Sequence, residues 1–286
     1  IIFGDHTKSI KFVDFDFVAG ADGIKILNPS DEILPKFLFY IIKSIKLPDL
    51  GYSRHYKELK DKKIPLPPLE VQQEIVDELE GYQKIIDGCK QVVENYKPTI
   101  DIDPSWEMVE LGEVCELIGG GTPSRKEEEY WKNGTIKWLS CKHLDEDGNV
   151  ISHEKISKIG LENSSSKLIK SGSIILVNRV SLGKVVYIDE DFAINQDLTG
   201  IWSKDTNALD PNFLFLFLYS IRNIFVDAGQ GLGVKGVTRE FIKEQKISIP
   251  SIETQKEIVQ KIEEERKVIE GNKKLIEVYT QKIQDR

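Results

Sequence analysis

Leu66-Pro-Pro-Leu-Glu-Val-Gln-Gln-Glu-Ile-Val76 recurs as Ile249-Pro-Ser-Ile-Glu-Thr-Gln-Lys-Glu-Ile-Val259, at an offset of 183 residues. A chain duplicated in this way is expected to fold as two related units. Residues upstream of each copy match as well. Pro35-Lys-Phe-Leu-Phe39 aligns with Pro211-Asn-Phe-Leu-Phe215 at an offset of 176, and Asp22 in AGADGIKIL aligns with Asp197 in INQDLTGIW at 175. The change of offset places seven extra residues in the second copy, about where GQGLGVKGVT (Gly229 to Thr238) lies. A length change confined to one segment is how a surface loop varies on a shared scaffold.

An amphipathic pattern follows each copy of the repeated segment. Ile75, Leu79, Tyr82, Ile86, Cys89, Val93 and Tyr96 alternate in steps of four and three, and Ile258, Ile262, Glu265, Ile269, Asn272, Ile276, Tyr279 and Ile283 repeat that spacing. This is the a/d seam of helices packed side by side. It predicts a helix over 70–96, of about 40 Å at 1.5 Å per residue, and a slightly longer one over 253–284. Pro67 and Pro68 precede the first, Pro98 follows it and Pro250 precedes the second, as helix boundaries allow. Gly81, Gly88 and Gly271 weaken both helices, so packing must hold them. The two seams are expected to pack antiparallel. Glu265 and Asn272 interrupt the second seam and either fix register or face a partner.

Between the helices, residues 104–250 read as a mixed domain. TIKWLS, SIILVNR, KVVYID and KISIP are strand candidates, and 211–223 reads as a short buried helix. Gly- and Ser-rich connections fit a curved sheet and not regular βαβ units. The expected fold class is therefore α+β, with mixed, strand-rich domains and two long antiparallel helices. Residues 1–64 repeat only the later part of the second domain, and about 70 residues of that domain have no counterpart before Ile1. The expectation is a piece of a longer chain.

Composition narrows the function. A length of 286 residues suits roughly two domains. The net charge of −8 argues against a polyanion binder driven by bulk charge. A local basic face is still open to it. Lys155, Lys158, Lys167, Lys170, Arg179 and Lys184 stand against only Glu162 in 155–184, a local excess of +5. Cys89, Cys115 and Cys141 are far apart, with no CxxC, which fits a reducing, cytoplasmic setting. The apolar stretch FLFLFLY is too short to cross a membrane.

Candidate catalytic patterns fail on chemistry. The glycines of GQGLGVKGVT lack a Walker Lys-Ser/Thr, because Lys235 precedes Gly236, and no βαβ unit feeds the loop. It reads as a partly basic surface loop with Lys235 and Arg239. Asp49, Glu58 and Lys60 resemble a metal-nuclease core, but the segment after Tyr52 reads as a turn and short helix. The second copy has Phe241 and Lys243 at the last two positions. His6, His55, His143 and His153 match no zinc spacing, and His143 in Cys141-Lys-His143 reads as a surface histidine. No nucleophile elbow is present. Asn28-Pro29-Ser30 lacks the second proline and the aromatic of an adenine-methyltransferase motif.

Four stretches together closely resemble the DNA-specificity subunit of type I restriction–modification systems. They are IIFGDHTKSIKFVDFDFVAGADGIKIL, GYSRHYKELKDKKIPLPPLEVQQEIV, WEMVELGEVCELIGGGTPS from Trp106, and GLGVKGVTREFIKEQKISIPSIETQKEIV. The resemblance covers essentially the whole chain. It implies two target-recognition domains, each reading half of a split duplex DNA target, joined by two antiparallel helices acting as a ruler. Residues 1–64 would be the later part of the first domain and 65–97 the family's central conserved helix. Residues 104–250 would be the second domain and 251–286 the distal conserved helix. It implies a non-enzymatic subunit with no cofactor of its own. S-adenosylmethionine would sit on partner methyltransferase subunits, two of them, and ATP and magnesium on a restriction and translocase subunit. Ile75, Leu79, Tyr82, Ile86, Val93, Ile258, Ile262, Ile269, Ile276 and Tyr279 would pack together and face the methyltransferases.

Base-reading residues vary within that family, so candidates come from chemistry. Arg179, Asn178 and Lys184 flank a strand and turn in the basic stretch. Gln230, Lys235 and Arg239 lie in or beside the glycine loop. Lys8, Arg54, His55 and Lys57 are the analogous choices in the first unit. Arginine suits guanine and Asn or Gln suits adenine in the major groove, whereas lysine more often holds phosphate. Two other readings stand beside this one: a helical scaffold without sequence-specific DNA binding, and the specificity region of a fused methyltransferase or endonuclease polypeptide.

Overall fold

The computed structural model describes residues 1–20, 23–49, 51–229 and 236–286. Asp22 of the repeat alignment lies outside the described residues, as do Gln230 and Lys235 in the glycine loop. The chain forms two compact units. One comprises Ile1–Tyr96 and Lys267–Arg286, the other Lys97–Arg266. Both are mixed α+β with open sheets.

In the first unit, β1 (Ile2–Gly4), β2 (Ile10–Lys11) and β3 (Ile24–Ile26) form an antiparallel sheet of order β2-β1-β3. Helices α1 (Pro35–Ser44), α2 (Tyr56–Lys60) and α3 (Leu69–Asn95) follow. Phe3, Ile42 and Leu59 form the core, one from a strand and one from each short helix.

The second unit begins with β4 (Glu107–Glu110), α4 (Leu111–Val114), β5 (Cys115–Gly119), β6 (Ile136–Leu139), β7 (Glu154–Ile156), α5 (Lys158–Glu162) and β8 (Lys167–Ile169). It continues with β9 (Ile174–Val177), β10 (Val185–Tyr187), β11 (Phe192–Ile194), β12 (Leu198–Ser203), α6 (Pro211–Ser220), α7 (Arg222–Ala228), α8 (Arg239–Lys243) and β13 (Lys246–Ile249), and α9 (Ile252–Asp285) begins in this unit and ends in the first. One sheet, β10-β9-β12-β5, is antiparallel. A second, β7-β6-β11-β8, pairs β6 with β11 in parallel, and β13 pairs with β4.

The apolar run in SIILVNR has a clear cause. Ile174 and Leu176 of β9 point into a core with Phe213, Leu214 and Phe225, while Ile175 and Val177 point into another with Leu139, Phe192 and Ile194. A strand covered on both faces needs no polar alternation. The short helix expected over 211–223 is α6, continued by α7. Asp210 caps α6, accepting from Asn212 N–H (2.8 Å) and Phe213 N–H (3.1 Å), with Pro211 in the first turn.

Helices α3 and α9 run for 27 and 34 residues. The a/d positions are buried or half-buried in both, Glu265 and Asn272 included. Within the first unit, the rings of Tyr82 and Tyr279 lie 5.3 Å apart, and Arg286 Nε lies 3.1 Å from Glu78 Oε2. A step back along α3 thus matches a step forward along the end of α9, so these segments run antiparallel. Lys282 covers both tyrosine rings. Among the described residues, no helix is long and apolar enough to cross a membrane.

The fourth residue of each long helix is a fully buried glutamine. Gln72 accepts from Leu34 N–H (2.8 Å) and donates to Glu32 O (2.9 Å) and Pro67 O (2.8 Å). Gln255 accepts from Asp210 N–H (2.8 Å) and donates to Ala208 O (2.8 Å) and Pro250 O (2.9 Å). Leu34 and Asp210 are the cap residues of α1 and α6. Each amide therefore ties a short helix, a proline segment and a long helix at one point. Gln255→Met keeps the volume and removes all three bonds, leaving one N–H and two carbonyls dry. The expected loss is about 3 kcal/mol, read as a lower urea midpoint. An unchanged midpoint would contradict this role for the amide.

Candidate nucleic-acid interface

Strand pairing gathers several polar side chains at one edge of the second unit. Leu198 lies opposite Val177 and Thr199 opposite Gly119. The ends of β9 and β5 and the start of β12 therefore meet, and Arg179, Gln196, Asp197 and Thr122 emerge together. Asn178 N–H donates to Asp197 O (3.0 Å), Val237 N–H donates to Asn178 O (3.0 Å), and Arg179 bridges Gly236. A Cβ at Gly236 would lie 2.9 Å from Arg179 Cγ, so glycine permits this approach.

The side chains there differ in role. Arg179 is half exposed, with Nε 3.8 Å from Asp197 Oδ1. Asp197 is in turn held by Asn195 Nδ2 at 2.8 Å. Val180 beside it takes φ +71°, a left-handed backbone that costs a β-branched residue about 1–3 kcal/mol. Arg239 opens α8 behind its cap Thr238, which accepts from Phe241 N–H (3.1 Å). The Arg239 guanidinium lies on Gly119, where a Cβ would sit 2.1 Å from Nη1. Lys184, half-buried, lines a cleft with Glu146, Asp147 and Arg222.

Two candidates change character. Asn178 is buried, its Oδ1 accepting from Thr199 Oγ1 (3.2 Å), so it pins two strands and is not a surface reader. His55 is fully buried, with its backbone N–H on Asp5 O (2.8 Å) and Nδ1 3.1 Å from the same oxygen. It belongs to the core of the first unit. The backbone arrangement there parallels the second. Asp5 N–H donates to Gly23 O and its carbonyl receives His55 N–H, as Asn178 does with Asp197 and Val237. Around this point Arg54 and Lys57 are exposed, and Lys8, at φ +56°, pairs with Asp49 at 3.3 Å. Tyr52, 88% exposed, stacks on His6 with centroids 4.7 Å apart. Gln230 and Lys235 remain outside the described residues.

The basic stretch is spread over several elements and partly neutralised. Lys155 and Lys167 lie on β7 and β8, opposite outer strands of one sheet. Lys158 pairs with Glu162 and Lys170 with Asp191. Sequence reasoning missed Gln196 and Thr122, whose hydroxyl donates to Gln196 Oε1 at 2.7 Å. Both lie in recognisable stretches, INQDLTGIW and GGGTPS, but only the strand register brings them together.

A second polar cluster is structural. Arg125 stacks 3.4 Å from the Trp131 ring centroid and donates to Glu154 (2.6 Å), which also accepts from Lys142 (2.5 Å). His143 is buried and not at the surface as its sequence context implied. Its Nδ1 accepts from Ser140 N–H (3.0 Å), and Nε2 faces Glu154 at 3.6 Å. The Arg125 hydrogen bond, opposed by burial and assisted by Lys142, holds Glu154 down at about 2. Burial likewise lowers the pKa of His143. Burial pushes the Cys115 thiol up to about 12 and raises that of Cys141, against any thiolate chemistry. Among the described residues, no three His, Cys, Asp or Glu side chains are placed to hold a metal ion.

The chain matches the family model described as type I restriction modification DNA specificity domain over residues 1–95 and 104–279. It is 27% identical over 289 residues to the EcoR124I/EcoR124II specificity subunit of Escherichia coli, covering 91% of this chain and 70% of that one. It is 25% identical over 297 residues to the putative MjaX specificity subunit of Methanocaldococcus jannaschii, covering 91% and 68%. Its fold is similar to that of a chain in a solved type I restriction–modification assembly (TM-score 0.61, 18% identity, 99% and 80% covered). It is also similar to the HsdS subunit of Thermoanaerobacter tengcongensis (TM-score 0.53, 19% identity, 89% and 70% covered).

The folded-state pKa of Glu154 lies below its ordinary 4.5, so the stabilisation is complete above about pH 4.5 and is lost as pH falls towards 2. His143 has the same sign, losing stability as pH falls below its ordinary 6.5. Glu154→Gln should flatten the fall of the urea midpoint between about pH 4.5 and 2. An identical pH dependence in the two proteins would contradict the assignment.

Proposed function

The chain belongs to the type I restriction–modification DNA specificity family, and on that premise we propose that it reads a split duplex target and positions adenine methyltransferase subunits on it. Specificity subunits are the non-catalytic parts of such systems. In this reading 1–64 and 104–250 act as recognition regions, and 65–97 and 251–286 as the helices between and after them. The two regions are copies of one design. The observation that carries this is the parallel backbone stitch, Asp5 with Gly23 and His55, Asn178 with Asp197 and Val237.

Each stitch supports an edge bearing cations. Lys8, Arg54 and Lys57 surround the first, and Arg179 and Arg239 the second. Lys184 extends the second along the hairpin. Lysines would take phosphate, and the arginines phosphate or guanine. The seam residues Ile75, Leu79, Tyr82, Ile86, Val93, Ile258, Ile262, Ile269, Ile276 and Tyr279 would pack together as a ruler and face the methyltransferases. A restriction and translocase subunit would join the same assembly.

The acidic balance fits such a protein. The cations at the two edges supply local contacts, and partners would supply much of the phosphate neutralisation. The isolated chain should bind DNA weakly, and the methyltransferase assembly tightly.

Selection from a randomised duplex pool, with and without the methyltransferase, tests the proposal. It should return two half-sites at one fixed gap, mainly from the assembly. No enrichment in either sample would favour a scaffold that does not read DNA. Arg179→Ala should weaken binding and reduce the slope of log affinity against log salt by about one. An unchanged slope would remove Arg179 from the phosphate contacts.

A further inference from the structure

Gln196 occupies the three-residue turn between β11 and β12, and the turn is held on several sides. Asn195 N–H donates to Leu139 O (3.0 Å) and Gly121 N–H donates to Ile194 O (3.0 Å). Asn195 Nδ2 donates to Asp197 Oδ2 (2.8 Å), while Asp197 N–H donates back to Asn195 Oδ1 (3.1 Å). Glycine lets the opening segment press against this turn. A Cβ at Gly120 would lie 2.0 Å from Ile194 O and 2.7 Å from Asn195 O.

An exposed glutamine ordinarily keeps its rotamer freedom, and ordering it costs up to about 2 kcal/mol. Here the side chain is exposed yet tethered, because Thr122 Oγ1 donates to its Oε1. Thr122 engages Oε1, and the two Nε2 hydrogens are the donors that this exposed side chain has to offer. Adenine recognition needs the amide oxygen and nitrogen presented together. With one lone pair of Oε1 engaged by Thr122, the two Nε2 donors are the group's main offer, and they match an oxygen that only accepts. The neighbouring cation, Arg179, is directed by Asp197, the next residue in the same turn.

We propose that Thr122 and Gln196 form an uncharged anchor for one DNA phosphate beside Arg179. Gln196 Nε2 donates to a non-bridging phosphate oxygen, and Thr122 is the positioning residue that turns the amide. The inference rests on the reading that this unit binds duplex DNA. An anchor of this kind sets the position of the unit on the backbone and carries no base preference. Being neutral, it displaces no counterion, which separates it from Arg179.

The test uses the full chain assembled with its methyltransferase, on a duplex carrying the selected target and on a scrambled duplex. Gln196→Ala should lower affinity about tenfold, as for a hydrogen bond to a charged group, by the same factor on both duplexes. The salt slope should stay as in the unsubstituted assembly, and Thr122→Val should give a smaller loss of the same kind. The melting temperature of both variants should be unchanged. Unaltered affinity would overturn the proposal. So would relaxed preference at a single base pair, which would make Gln196 a base reader, or a fall in melting temperature that accounts for the loss. If the unsubstituted assembly bound neither duplex, the DNA-reading function itself would fail.

Discussion

The buried amides of Gln72 and Gln255 are the joints on which both units depend. A glutamine amide offers two donors and an acceptor on one neutral group, and each of these uses all three. A carboxylate would face two carbonyl oxygens, and an apolar side chain would leave three backbone groups dry. Each joint fixes where a long helix starts relative to the short helix before it. The short helices α2 and α8, which precede the proline segments, carry Lys57 and Arg239. The joints themselves contain no residue of the polar edges.

That separation leaves the edges free to differ while the frame is kept. The joints, the paired cores of β9 and the stitch around Asn178 are buried and have little freedom to vary. The side chains at the edges, Arg179, Gln196 and Arg239 in one unit and Lys8, Arg54 and Lys57 in the other, stand on that frame with few packing duties. Arg179 and Gln196 owe their direction to Asp197 and Thr122, each one hydrogen bond or ion pair away. Exchange of an edge residue alters chemistry towards a ligand with small effect on the fold.

Local patterns were legible in the sequence, and tertiary ones were not. Periods of four and three marked the seams of α3 and α9 to within a residue or two, because a helix face repeats along the chain. The run SIILVNR announced a strand, and the fold supplied its cover on both faces. Burial of individual polar residues was hidden. His143 looks like a surface histidine until the Ser140 N–H is placed against its ring, and His55 until Asp5 O is placed against its backbone N–H and Nδ1. Asn178 resembles an adenine reader until β12 brings Thr199 to its amide. The Lys-rich stretch 155–184 left a local basic face open, and the fold spreads it over several elements, with Lys155 and Lys167 on the two outer strands of one sheet and Lys158 and Lys170 in ion pairs. The Thr122–Gln196 pair, 74 residues apart, had no local signal at all.

The central claim is that two similarly built edges grip one duplex at two places. Hydroxyl-radical footprinting of the methyltransferase assembly on its selected duplex tests it most directly. The account predicts two protected stretches of backbone separated by a gap of constant length. A single continuous footprint, or protection at one half-site alone, would contradict it.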